Sequence, residues 1–147
     1  LCLGDFRDDG TLATIDTDRV IHVLGPDGAE LVSIPTAGDY AGYPTFNPAG
    51  DLLYSVADID ETSEGMPPPE PGTIYRVAPP YSGEPVMVAT GEGLLLSAMR
   101  DIFLNGETVV VNSASGEQWG TALLNATTGE VTPVEPWPNA YPAAIWR

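Results

Sequence analysis

A chain of 147 residues has the length of one domain, and with 43% hydrophobic residues it has enough apolar material for a core. Against 21 acidic residues stand five positively charged ones, all arginine, for a formal net charge of -16. That balance excludes the basic footprint that releases counterions from nucleic-acid phosphates and disfavours anionic lipid surfaces; cations, basic proteins and neutral glycans remain as partners.

Taken in chain order, the first unit spans about 1–37. An apolar strand ends near Phe6, a turn follows at Gly10, and strands are expected at Thr11–Ile15 and Val20–Leu24. A second turn at Gly28 leads into a strand at Leu31–Ile34. The second unit, 41–90, repeats the plan: a strand to Phe46, a turn at Gly50, strands at Leu52–Ala57 and Thr73–Ala78, a turn at Gly83, and a strand at Val86–Ala89. The third, 94–135, runs through Phe103, Gly106, Thr108–Asn112, Thr121–Asn125, Gly129 and Val131–Val134. "YPAAIWR" at 141–147 parallels "YPTFNP" and reads as the first strand of another unit.

The turns have a physical basis. Gly reaches positive φ without steric penalty, so "DDG", "PDG" and "NGE" mark tight antiparallel connections. The strands are short and rich in β-branched residues, with no helical period. The 15 prolines and 16 glycines are spread between the apolar runs, as frequent turns require. The second unit carries an insertion, "IDETSEGMPPPEPG", whose prolines forbid a helix and whose "PPPEPG" is a stiff exposed spacer.

Four antiparallel strands recurring every ~40–55 residues are the pattern of β-propeller blades. The expectation is therefore an all-β single domain of three four-stranded units plus one strand of a fourth, forming part of a larger ring. The ring would be completed by further blades of the same polypeptide or by a second copy. The segment "YPTFNPAGDLLYS", through Pro44, Phe46, Pro48, Gly50, Leu53, Tyr54 and Ser55, resembles a blade turn of the periplasmic Tol-system propeller and of prolyl-oligopeptidase-type propellers. It departs from that turn at Ala49, where those blades carry Asp. The resemblance implies architecture and transfers no catalytic residue. It also implies an alternative role, the accessory propeller of a hydrolase whose catalytic domain lies outside these residues.

Loops joining second to third strands, and loops between units, are expected to share one face. They gather Asp16, Asp18, Asp58, Asp60, Glu61, Glu64 and Glu117 with Asp39, Tyr40, Glu92 and Tyr141. Oxygen-rich spacing at Asp58, Asp60 and Glu64 suits a hard cation such as Ca²⁺, although the central glycine and closing glutamate of an EF-hand are missing. Tyr40, Trp119 and Trp137 are the candidate contacts for a protein or glycan ligand. "NAT" at Asn125–Thr127 fits a glycosylation acceptor. His22 is the one histidine, in an alternating strand, without a nucleophile elbow or a His-Glu-x-x-His motif around it.

Cys2 is the one cysteine, which rules out an intrachain disulfide. "LCLGD" lacks the apolar run of a signal peptide, and no stretch is long enough for a membrane-spanning helix. These features lead to the expectation of a non-enzymatic binding or scaffolding module working in an extracellular, periplasmic or cell-surface setting.

Overall fold

The computed structural model describes residues 3–36, 40–57, 71–96, 103–115 and 118–134. Among them there are strands and turns and no helix. The strands are β1 (Leu3–Phe6), β2 (Leu12–Ile15), β3 (Val20–Leu24), β4 (Glu30–Pro35), β5 (Tyr40–Phe46), β6 (Leu52–Ala57), β7 (Pro71–Val77), β8 (Val86–Glu92), β9 (Leu95–Leu96), β10 (Thr108–Ser115), β11 (Gln118–Asn125) and β12 (Val131–Pro133). They form three antiparallel four-stranded sheets, each in simple sequence order: β1–β4, β5–β8 and β9–β12. The all-β expectation and the four-strand unit hold.

The sheets pack in series. β1 and β2 lie on β5; β6, β7 and β8 meet β9 and β10. The reason lies in the period-two alternation of strands, which sends neighbouring residues to opposite faces. In β6, Leu52 and Tyr54 join a core with Ala13, Ile21, Val23 and Ile34 of the first sheet. Leu53, between them, joins a second core with Leu96, Val109, Val111 and Leu124 of the third sheet. The central sheet is thus buried on both faces. We refer to the face toward the preceding sheet as the front and the other as the rear.

Three loops show how the hairpins close. Residues 7–11, 25–29 and 47–51 each make the same pair of backbone bonds: the first N–H donates to the fifth carbonyl, and the glycine N–H donates to the first carbonyl (2.8–2.9 Å). Gly10, Gly28 and Gly50 have φ of +88°, +79° and +91°, the left-handed geometry of a three-residue hairpin loop. The β2–β3 loop, Asp16–Val20, has the same bonding with Arg19 at φ +63° in the glycine position.

The third unit differs from the sequence reading. Its first loop closes through Leu104 N–H to the Thr108 carbonyl, so Glu107, not Gly106, stands where Gly10 and Gly50 do. Neither Gly106 nor Gly83 is in the left-handed region. Asn105 holds this loop instead, its Oδ1 accepting from Glu107 and Thr108 N–H (2.9 and 2.8 Å). The first strand is β9 at Leu95–Leu96, and Phe103 joins the sheet through an isolated bridge to Val109.

Gly129, at φ +77°, sits where an added Cβ would collide with the Val88 carbonyl oxygen of the neighbouring sheet. Backbone geometry and close approach both demand glycine here. Gly129→Ala is expected to destabilise the fold by about 2 kcal/mol or more, read as a lowered midpoint in urea denaturation.

Candidate functional site

The first hairpin loops of the first and second sheets, with Phe103 of the third, enclose an open cleft of about 440 Å³. Arg7 organises it. One guanidinium nitrogen donates to the Tyr81 hydroxyl (2.7 Å), which donates to the buried Gly50 carbonyl (2.8 Å). The other pairs with Asp9 at 3.1 Å, and the guanidinium carbon lies 5.9 Å from the Phe46 ring centroid, within cation–π range. The Tyr81 ring packs at a tilt on Phe46, centroids 5.9 Å apart. This relay spans both sheets and fixes their loops against each other.

Asp5, on the rear of β1, accepts from the Thr45 hydroxyl (2.9 Å) and from the Phe46 N–H (2.8 Å), where β5 shifts register. Asp9 accepts from Thr11 N–H, which, ahead of the nearby Arg7 charge, lowers its pKa below the ordinary 3.8. Asp8 at the rim and Phe6, 61% exposed, remain open to solvent.

Ala49 stands where two loops of the first sheet carry Asp9 and Asp27, and another side chain takes over the bond those aspartates make. Asp9 and Asp27, just before their glycines, each accept from the N–H just after it (3.0 Å). With Ala49 in that place, Asn47 Oδ1 takes the Asp51 N–H instead, at 2.8 Å.

The cleft lies at the end of the sheets that carries the β1–β2 and β3–β4 turns; an added Cβ on Gly10 would meet Pro26. That is the end opposite the face expected from sequence. Asp16 and Asp18 do lie in the β2–β3 loop, and Glu92 ends β8. Tyr40 falls in β5 and Trp119 in β11, with their side chains outside the described residues. Trp137, Asp58, Asp60 and Glu64 lie outside the described residues altogether, and with them the expected Ca²⁺ loop. Among the described residues no group of three His, Cys, Asp or Glu side chains is placed to hold a metal. Asn125 closes the β11–β12 turn: its Oδ1 accepts from Thr127 and Thr128 N–H, both at 2.9 Å.

The sequence reading gave His22 no role beyond its strand. On the front of the first sheet its Nδ1 lies 2.6 Å from Glu30 and its Nε2 2.9 Å from Asp16. Ser33 donates to Glu30 at 2.7 Å. Alternation and register put this row together, since Thr14, His22 and Ser33 are cross-strand partners. The two ring nitrogens point to different carboxylates, so the imidazolium acts as a bridge between the β2–β3 loop and β4.

No protein-family model matches the chain, and no curated protein matches it.

Two outcomes follow from this geometry. Tyr81→Phe removes both hydroxyl bonds and leaves the buried Gly50 carbonyl unmet, and is expected to lower stability by about 1–3 kcal/mol in urea denaturation. The Asp16 and Glu30 contacts raise the His22 pKa above 6.5, while the same contacts lower Asp16 and, behind the Ser33 bond, Glu30. A raised histidine pKa contributes stability below the unfolded value that is lost as pH rises through the folded one. The lowered carboxylates contribute above their unfolded values, 3.8 and 4.5, and lose it as pH falls. The bridge is therefore fully effective from about pH 5 to 6.5 and fades above. NMR titration of this single histidine is expected to give a midpoint above 6.5 that falls in both Asp16→Asn and Glu30→Gln.

Proposed function

We propose that the three sheets are consecutive β-propeller blades and that the chain is a binding module whose cleft accepts a basic, partly apolar segment of a protein partner. Three features support the blade reading: the repeated up-and-down sheet, serial face-to-face packing, and the turn around Phe46 and Gly50. The observation that carries the binding reading is the cleft itself. Phe6 and Asp8 are exposed there, with the buried rings of Phe46 and Phe103 behind them in the lining, on a chain of net charge -16. Exposed Phe6 beside the exposed carboxylate of Asp8 suits a lysine or arginine side chain, whose apolar stem packs on the ring while its charged head meets the acid, as Arg7 does with Phe46 and Asp9 in the same cleft. Long-range attraction from the acidic surface would speed the encounter.

The partner is read as protein because a folded scaffold with rigid loops recognises extended segments with little reorganisation. Titration calorimetry with an arginine- and lysine-rich oligopeptide containing tryptophan tests this. Binding is expected at low ionic strength, weakening as salt screens it. Asp8→Asn should weaken it about two- to five-fold, the range of an exposed charge pair. Absence of binding at low salt, or an affinity indifferent to both salt and Asp8, would overturn the reading.

A further inference from the structure

The hairpin loop at 104–108 uses its peptide groups differently from its counterparts. In the loops at 7–11, 25–29 and 47–51 the glycine N–H donates to a backbone carbonyl: Gly10 to Arg7, Gly28 to Gly25 and Gly50 to Asn47, each at 2.9 Å. Gly106 N–H donates to no group among the described residues. The bonding has passed to the side chain before it, where Asn105 Oδ1 accepts from Glu107 N–H at 2.9 Å and from Thr108 N–H at 2.8 Å. Asn105 and Gly106 are both exposed, and an added Cβ on Gly106 would meet nothing within 4 Å.

An asparagine amide followed by an unengaged, unhindered nitrogen has a reaction open to it. Two donors on Oδ1 draw electron density from Cγ and are placed to receive negative charge when a nucleophile adds there, as an oxyanion hole does. They also fold the side chain forward along the loop, toward the peptide that carries the Gly106 nitrogen. Glycine adds no side chain to obstruct the approach.

We propose that Asn105 is a self-modification site, which loses its amide to become aspartate and isoaspartate in the folded protein. The Gly106 nitrogen gives its proton to solvent base and bonds to Asn105 Cγ. The bond from Cγ to Nδ2 then breaks, and the amide nitrogen takes up protons from water and leaves as ammonia. Water opens the resulting succinimide at either carbonyl. Opening at Cγ gives aspartate; opening at the backbone carbonyl gives isoaspartate, with the main chain rerouted through the former side chain. Isoaspartate lengthens a loop that Leu104 N–H closes onto the Thr108 carbonyl and that receives Ala126 N–H at the Glu107 carbonyl, so conversion loosens both turns at this end of the third sheet.

The chain carries its own controls. Asn125 Oδ1 accepts from Thr127 and Thr128 N–H in the same manner, but the next nitrogen belongs to Ala126, which is 3% exposed and already donates to Glu107 at 2.8 Å. Asn47 precedes Pro48, whose nitrogen has no proton to lose. Asn112 lies inside β10.

Peptide mapping by mass spectrometry tests the proposal on folded protein held in warm, mildly alkaline buffer, with enzymatic methylation to detect isoaspartate. Asn105 is expected to exchange amide for acid progressively while Asn47, Asn112 and Asn125 stay intact. Gly106→Ala, which the open space around an ordinary backbone conformation accommodates, should keep the circular dichroism spectrum and slow the exchange several-fold. In concentrated urea, where the two donors are lost, wild-type Asn105 should convert no faster than in the folded chain. An intact Asn105, an Asn125 that keeps pace with it, a rate indifferent to Gly106→Ala, or several-fold faster conversion in urea each overturns the proposal. A converted chain with an undiminished urea midpoint overturns the loosening alone.

Discussion

The structure depends on a strand with no solvent face. β6 sends Leu52 and Tyr54 one way and Leu53 the other, and all three are 3% exposed or less. Each buried Leu contributes about 1.5–3 kcal/mol, more than the ~0.5–1.5 kcal/mol net of a typical hydrogen bond. Apolar burial therefore decides that the sheets lie face to face. A lone four-stranded sheet of this sequence would leave both β6 faces in water, and a pair of sheets would still leave one. The same burial drives the Tyr54 hydroxyl, ahead of its neighbour Tyr75, to a pKa of about 12.

Burial is non-directional, and hydrogen bonds supply the alignment. Each joint uses a side-chain acceptor on one sheet and a backbone N–H on the first strand of the next. Asp5 receives the Phe46 N–H at 2.8 Å, and Ser55, fully buried in β6, receives the Leu96 N–H at 3.3 Å. These N–H groups lie where β5 shifts register and where β9 ends. A buried backbone donor without a partner is costly, so each acceptor fixes the height at which its neighbour docks. The Arg7–Tyr81–Gly50 relay locks the first joint again at the cleft.

Much of the architecture was legible in the sequence because the strand period and turn glycines are local signals. β6 appears with the bounds expected, and Gly10, Gly28, Gly50 and Gly129 hold the turns assigned to them. The third unit misled by one residue, since "NGE" offers a glycine in a loop that Asn105 holds by its side chain. The cleft was not legible. Its parts, Arg7, Phe46, Tyr81 and Phe103, are far apart in the chain and meet only once the sheets stack. Acidic residues drew attention to the opposite end, where charge is dense in sequence. The His22 bridge depends on register, which sets Thr14, His22 and Ser33 side by side while Asp16 approaches from the β2–β3 loop and Glu30 from the start of β4.

The pairing of Asn47 with Ala49 bears on what such a hairpin requires of its sequence. In this loop the N–H after the glycine is received by an asparagine two positions earlier than the aspartates of the first sheet, while the backbone bonds of the hairpin are the same. The hydrogen-bonded outline of such a hairpin is therefore not tied to one letter at one position: either of two side chains can close it around the same backbone.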